Sequence, residues 1–433
     1  MPLSRERIAL PVFMWVFYFF AAVVVWQGLV SLRGGVRFLA YVRRELSAER
    51  PLFTPYASII APCRGLDYEL RENLDALFRQ NYPAYEIIFV TDNMNDSSLR
   101  VVEEARSQWQ HSQAVEARGA ETRVAETRTV ETRVVIAGTA TESGQKVHNL
   151  CAAIEQADAQ SEVFVFVDTD ARPQSFWLAS LVAPLADEQL GATTGYRWFV
   201  SIRGGFASHL RSVWNASIAS ALGERGDRNF CWGGSTAIRR QTFEKLEMLK
   251  QWRGTLSDDF ALMRALRRAR LPIHFVPACL TASLEDCGFG ELLEFTTRQL
   301  KITRVYASHF WQAVLAGSLL FTLVFFGGII LVVTRAAGGL SYLLPLALLI
   351  TIYALGVGKA ALRWWAVSLP LAAYRLKLRK GLWAHLLLWP LASLLYLYNA
   401  LAAAFSRRIR WRGITYELKS PTETVIIDTQ RRN

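Results

Sequence analysis

Two carboxylates one residue apart, Asp168 and Asp170, close the apolar run Val163-Phe164-Val165-Phe166-Val167. An uninterrupted run of β-branched and aromatic residues reads as a buried strand, and the abrupt change to Asp-Thr-Asp marks where that strand leaves its sheet. In an extended chain, residues two apart point the same way, so both carboxylates can face one hard cation, which prefers oxygen ligands and would neutralise a diphosphate. Taken alone, the triplet also suits a helix cap or a solvated turn. A second acidic pair, Asp258-Asp259, opens the helical pattern FALMRALRRA. Acids at a helix start complement its dipole, and a carboxylate is also the kind of group that removes a proton from a hydroxyl nucleophile. Lys146 begins another helical stretch, where its charge and the helix N–H groups can meet a phosphate.

These residues need a scaffold that carries them to one place. Strand-like runs at residues 57–61, 85–91, 134–136 and 163–167 alternate with helix-like stretches at 68–79 and 146–157. That alternation is the pattern of an α/β fold with a parallel sheet, in which ligands gather at the carboxyl ends of the strands. Residues 116–133 break it with Glu-Thr-Arg repeated at 121, 126 and 131. A period of five fits neither helix nor strand, so the segment is expected to be an exposed low-complexity insertion.

The chain has 433 residues, of which 52% are hydrophobic and 20% charged, too apolar for an ordinary soluble enzyme. Residues 11–31 carry no charge over a length that spans a bilayer and lack a cleavage site, so they read as a retained anchor. Further spans fit 313–333, 340–357 and 382–405, and 362–374, rich in Trp and broken by Pro370, fits a segment that lies in or re-enters the membrane. The expected organisation is an anchor at 1–32, a catalytic domain at 33–310, a membrane region at 311–406 and a basic tail at 407–433. Arg33, Arg37, Arg43 and Arg44 follow the first span closely, which places the catalytic domain in the cytoplasm, on the inner face of the plasma membrane if the source is bacterial. The formal charge of +12 is accounted for by juxtamembrane clusters such as Arg375, Lys377, Arg379 and Lys380, which suit anionic lipid headgroups rather than nucleic acid. Five cysteines without a CxxC pair and six scattered histidines leave a metal to carboxylates.

Six motifs occur in order: Pro62-Cys63-Arg64-Gly65, Asn81-Tyr82-Pro83-x-Tyr85-Glu86, Asp92 with Asp96, Lys146-x-x-Asn149-Leu150, Asp168-x-Asp170 and Ser257-Asp258-Asp259-Phe260. Together they resemble the family-2-type glycosyltransferases, and among those the ceramide glucosyltransferase and hopanoid glycosyltransferase branch, over roughly residues 57–304 by motif and beyond that by topology. The resemblance implies an α/β GT-A domain that transfers glucose or a related hexose, with inversion, from a UDP-sugar to a membrane lipid hydroxyl. It implies Asp168 and Asp170 on Mg²⁺ or Mn²⁺, Asp92 accepting from a uracil N–H with Asp96 assisting, and Asp259 as the base with Asp258 in support. Gln145, Lys146 and Asn149 are its candidate nucleotide contacts, and Gly233-Gly234-Ser235 its acceptor-side turn. Ceramide is the first acceptor and a hopanoid-type polyol the second; a processive polysaccharide synthase and a nucleotide-sugar-binding scaffold are the alternatives. One motif departs from the pattern. Related enzymes carry (Arg/Gln)-x-x-Arg-Trp on an interfacial helix before the membrane spans, where this chain has Arg298-Gln299-Leu300-Lys301-Ile302. The positive charge of Arg298 and Lys301 is kept for the donor, while the planar fork and the aromatic face are lost.

Overall fold

The computed structural model describes the backbone of residues 4–50, 52–119 and 129–429. The chain begins with a long helix, α1 (Ser4–Ser47), and then alternates: β1 (Ala57–Pro62), α2 (Leu70–Phe78), β2 (Ala84–Thr91), α3 (Ser97–Gly119), β3 (Thr129–Ile136), α4 (Gln145–Glu155) and β4 (Val163–Val167). There follow α5 (Trp177–Val182), β5 (Ala192–Val200), α6 (Phe206–Ala219), β6 (Ser235–Arg239), α7 (Arg240–Lys245), α8 (Met248–Trp252), α9 (Asp258–Arg268), β7 (Ile273–Leu284) and α10 (Phe289–Tyr306). The last elements are α11 (Ser308–Ala337), α12 (Leu343–Ser368), α13 (Arg375–Leu387), α14 (Trp389–Phe405), β8 (Arg408–Trp411), β9 (Ile414–Ser420) and β10 (Glu423–Thr429).

Strands β1 to β7 form one sheet in the order β3-β2-β1-β4-β6-β5-β7. The pairs among β1 to β4 are parallel, β6 runs antiparallel to both neighbours, and β5 pairs parallel with β7. This mixed, mostly parallel sheet agrees with the α/β class expected from the sequence. The central strands β1, β2 and β4 are buried along almost their whole length because both faces are covered. Ile59 and Val165 face the core under α2 and α5, whereas Ile60, Phe164 and Phe166 face the core under α4, α8 and α9.

α1 has 44 residues, so it extends roughly 65 Å and outruns a bilayer by a factor of about two. Its first half packs Phe17, Ala21 and Val24 against Phe325 of α11 and Ile352 of α12. Its last turns pack Phe38, Tyr41 and Val42 against Phe275 of β7 and the end of α12, and the Tyr41 hydroxyl donates to the Phe275 carbonyl at 2.5 Å. The membrane and catalytic parts therefore share one continuous helix.

The structure refines four expectations. Three described helices, Met14–Ser47, Ser308–Ala337 and Leu343–Ser368, are long and apolar enough to cross a membrane, but the expected fourth span is a pair bent by 72° between Ala372–Leu387 and Trp389–Phe405. Pro390 explains the break, since it has no N–H to continue the ladder and its ring excludes the preceding turn. Of the segment at 362–374, the part up to Ser368 forms the last turns of α12, itself long and apolar enough to cross a membrane, and a short turn follows, with Pro370 after the helix end. The 116–133 insertion is narrower than its composition suggests: α3 runs on to Gly119 and β3 already begins at Thr129, and the residues between lie outside the described ones. The basic tail is an antiparallel three-stranded sheet, β10-β9-β8. Alternate residues Ile414, Tyr416 and Leu418 are buried against Leu256 of the α8–α9 loop and Ile302 and Tyr306 of α10, which a one-sided strand requires.

Candidate active site

β1 and β4 lie side by side and end at the same edge of the sheet, where Arg64 and Asp168 leave it. β6 starts opposite Val167, so the preceding Gly233-Gly234 turn comes to the same edge, and the N-termini of α4 and α9 meet it from one face. Cations and acids, most of them part-buried, alternate there. Lys146 Nζ lies 2.7 Å from Asp168 Oδ1 and 3.5 Å from Asp258 Oδ1, and Arg197 of β5 reaches Asp168 Oδ2 at 3.0 Å and Asp170 Oδ2 at 3.1 Å. The result is a chain of charges, Asp258–Lys146–Asp168–Arg197–Asp170.

Its electrostatics follow from burial and order. Burial alone would raise the Asp168 carboxyl, but Lys146 and Arg197 override it and hold it below its ordinary range. Lys146 is correspondingly pushed above its usual value by Asp168 and Asp258 in spite of its own burial. Asp258 has only the more distant contact, so burial, with Lys146 opposing and Asp259 and Asp168 adding, pushes its carboxyl up to about 6. The close approach of Asp258 and Lys146 to the turn requires glycine at 233, because a Cβ there would collide with Asp258 Oδ2 and Lys146 Nζ.

The expected site residues do not share one environment. Asp259 sits in the first turn of α9, its Oδ1 accepting from the Ser257 hydroxyl and, at 2.7 Å, from the Phe260 N–H. Asp92 at the end of β2 pairs with Arg64 at 3.2 Å. Asp96 accepts from the Gly65 N–H at 2.9 Å and from the Ser98 N–H and hydroxyl at 2.8 and 2.6 Å, fastening the loop after β1 to the start of α3. Asn149 accepts at 2.8 Å from the Gln145 amide, which also grips the loop before α4. Arg298 stands between the Phe295 and Trp411 rings, 5.5 Å from each centroid, while Lys301 turns away and donates to the Arg408 carbonyl at 2.7 Å.

A cavity of about 1560 Å³ joins these groups to the membrane helices. It runs from Lys146, Asp168 and Asp170 past Asp258, Asp259 and Trp214 to Gly317 and Phe321 of α11 and Tyr396 of α14. Asp92, Asp96 and Lys301 are outside its lining. Two contributors escaped the sequence reading. Arg197 is the only charge in the strand ATTGYRWFV, and a lone cation in a buried strand calls for an acidic partner. The tail residues Arg410, Trp411 and Arg412 also line the cavity. They could have been found, because Arg407-Arg408-Ile409-Arg410-Trp411 has the (Arg/Gln)-x-x-Arg-Trp spacing that α10 lacks.

The sequence model of glycosyl transferase family 21 matches residues 14–424, from the first membrane helix to the tail sheet. The chain belongs to this family. As a member of family 21 it is a nucleotide-sugar-dependent glycosyltransferase. Among solved structures it is similar to a mannosyltransferase from Pyrobaculum calidifontis in complex with GDP-Man and Mn²⁺, at 17% identity over 89% of this chain and 98% of that one, with a TM-score of 0.42. It is also similar to glucosyl-3-phosphoglycerate synthase from Mycobacterium tuberculosis in complex with Mn²⁺, UDP and glucosyl-3-phosphoglycerate, at 14% identity over 59% and 84%, with a TM-score of 0.36.

Proposed function

We propose that this family 21 enzyme transfers a hexose from a UDP-sugar directly, with inversion, to the hydroxyl of a membrane lipid, with its catalytic domain in the cytoplasm. The observation that carries the acceptor class is the single cavity that begins at the charged cluster and ends among apolar residues of α11 and α14. A lipid whose chains occupy that end presents its hydroxyl at the first turn of α9, and a water-soluble acceptor would have no use for it.

In this reading the donor diphosphate sits at the sheet edge opposite Lys146 and Arg197, and Asp92, which pairs with Arg64 outside the cavity lining, would accept from the uracil N–H. A divalent cation fits there, because Asp170 Oδ1 is buried without a hydrogen-bond partner beside Asp168. Asp168 and Asp170 would hold Mg²⁺ or Mn²⁺, and since no three described His, Cys, Asp or Glu side chains converge, diphosphate oxygens would complete its shell. When bound, the cation would neutralise charge on the leaving diphosphate.

Asp259 is the base in this reading. Ser257 and the Phe260 N–H fix one oxygen, leaving the other for the acceptor, while Asp258 is committed to Lys146. As the acceptor oxygen forms its bond to the anomeric carbon, the bond from that carbon to the diphosphate breaks. The acceptor proton passes to Asp259, and the electron pair leaves with UDP. Ceramide is the first acceptor in this proposal. The test is mass spectrometry of lipids from membranes containing the enzyme, incubated with a panel of UDP-sugars and with ceramide or a hopanoid polyol. One hexose added to ceramide supports the reading, and hopanoid labelling alone moves the acceptor. Polymer would point to a processive synthase, and nucleotide binding without transfer to a scaffold.

A further inference from the structure

The tail sheet does more than cover the domain. β8 and β9 are joined by the two-residue turn Arg412-Gly413, both with positive φ (49° and 80°), the geometry that a tight hairpin requires. Buried Ile409, Ile414, Tyr416 and Leu418 seat this hairpin on α10, and the Tyr416 hydroxyl accepts from the Gln145 N–H at 3.2 Å. The turn therefore comes to the mouth of the charged cluster. Arg412 bridges to Asp67 at 2.7 Å and donates to the Arg64 carbonyl at 3.2 Å. Trp411 lies against the Arg298 guanidinium, which is 5.5 Å from its ring centroid.

Three neighbouring cations already have acids: Arg64 has Asp92, Lys146 has Asp168 and Asp258, and Arg197 has Asp168 and Asp170. Arg298 contacts only aromatic rings and has no ion pair with any described residue. A guanidinium largely withdrawn from water among rings, with Glu294 and Asp170 near but neither within ion-pair distance, has strong donors left for an anion. Arg412 lies close enough to Asp168 and Asp170 to feel both, and its fork carries more donors than Asp67 and one carbonyl employ.

We infer that the C-terminal hairpin completes the donor site, with Arg412 and Arg298 together clamping the diphosphate of the nucleotide sugar and Trp411 fixing the plane of Arg298. This rests on the nucleotide-sugar reading above. The order of the chain then has a consequence: the donor site is complete only after the last membrane helices have formed and the tail has returned.

The test uses the full-length enzyme in nanodiscs with Mg²⁺, and calorimetric titration with UDP and with inorganic pyrophosphate as probes. Loss of a charge-assisted contact predicts binding weaker by about 10- to 100-fold for both probes in Arg412→Ala. Arg412→Lys should recover part of that loss, and the exterior change Lys419→Ala should leave both affinities unchanged. Arg298→Ala, which touches none of the hairpin's own hydrogen bonds, should give a loss of the same order. With a UDP-sugar the donor KM should rise far more than kcat falls. Affinities within about two-fold of the unmodified enzyme in both Arg412→Ala and Arg298→Ala would overturn the clamp. Failure of the unmodified enzyme to bind either probe would overturn the donor reading, and the clamp with it.

Discussion

At the scale of single residues, the two adjacent acids of α9 have different work. Asp259 is fixed by Ser257 and its own helix turn, and Asp258 holds Lys146 in the charged chain. A general base contributes about 10²- to 10⁴-fold, so Asp259→Asn should slow single-turnover transfer by that order with donor affinity unchanged. If Asp258→Asn proves the more damaging at unchanged affinity, the roles are reversed. The pH dependence follows from Asp258. Its carboxyl is held at about 6, above the ordinary carboxylate range, so it is ionised at pH 7.5 and takes up a proton as the pH falls through 6. The folded state binds that proton more tightly than the unfolded chain, so this group favours stability at the acid end of the window while the Lys146 pair is lost. Transfer should therefore fall below about pH 6, and Asp258→Asn should remove that limb from the rate profile; a limb unchanged in the variant would assign it elsewhere. These acids were legible in the sequence because they open a clean helical period. Arg197 was not assigned, and the turn at Gly233 was read only as lining the acceptor side, since their meaning depends on neighbours 29 and 25 residues away, at Asp168 and Asp258.

At the scale of elements, β1, β2, β4, α4 and α9 fall close to where periodicity placed them, because hydrophobic spacing decides short buried segments. β6 and its reversal were not read, and neither was the tail sheet, where arginines at 407, 408, 410 and 412 mask the alternation of Ile409 and Trp411. β3 was read only from Val134 onward. Its earlier residues matter to the domain: Arg133 pairs with Glu86 of β2 at 3.0 Å and with Asp158 at 3.1 Å. Glu86 is fully buried and also accepts from Ser58 and the Asp158 N–H, with Arg133 as its cationic partner. Arg133→Ala should destabilise the domain by about 1–3 kcal/mol, the usual penalty for leaving a buried acceptor underpaired. Thermal and urea unfolding would measure it, and an unchanged transition would show that solvent replaces the arginine without cost.

At the scale of the molecule, both ends of the membrane region return to the catalytic domain. The Gln174 amide donates to the Pro370 carbonyl at 2.8 Å just after α12, and the Tyr416 hydroxyl binds α4 just after α14. If the bent pair α13–α14 leaves and re-enters on one side, three crossings put the basic tail on the same side as the catalytic domain. Thiol labelling of vesicles should then reach Ser341→Cys, between α11 and α12, from the side opposite to Asp428→Cys, and labelling of both from one side would refute that topology. The central claim is that a lipid reaches the base through the membrane end of the cavity. Gly317 lines that end, and a Cβ placed on it meets nothing within 4 Å, so a larger side chain fills space without displacing the helix. The direct measurement is hexose transfer to ceramide by Gly317→Phe in nanodiscs, alongside its UDP affinity. Retained UDP binding with transfer reduced by about ten-fold or more, a barrier change of about 1.4 kcal/mol, is the predicted result, and transfer equal to that of the unmodified enzyme would contradict the account.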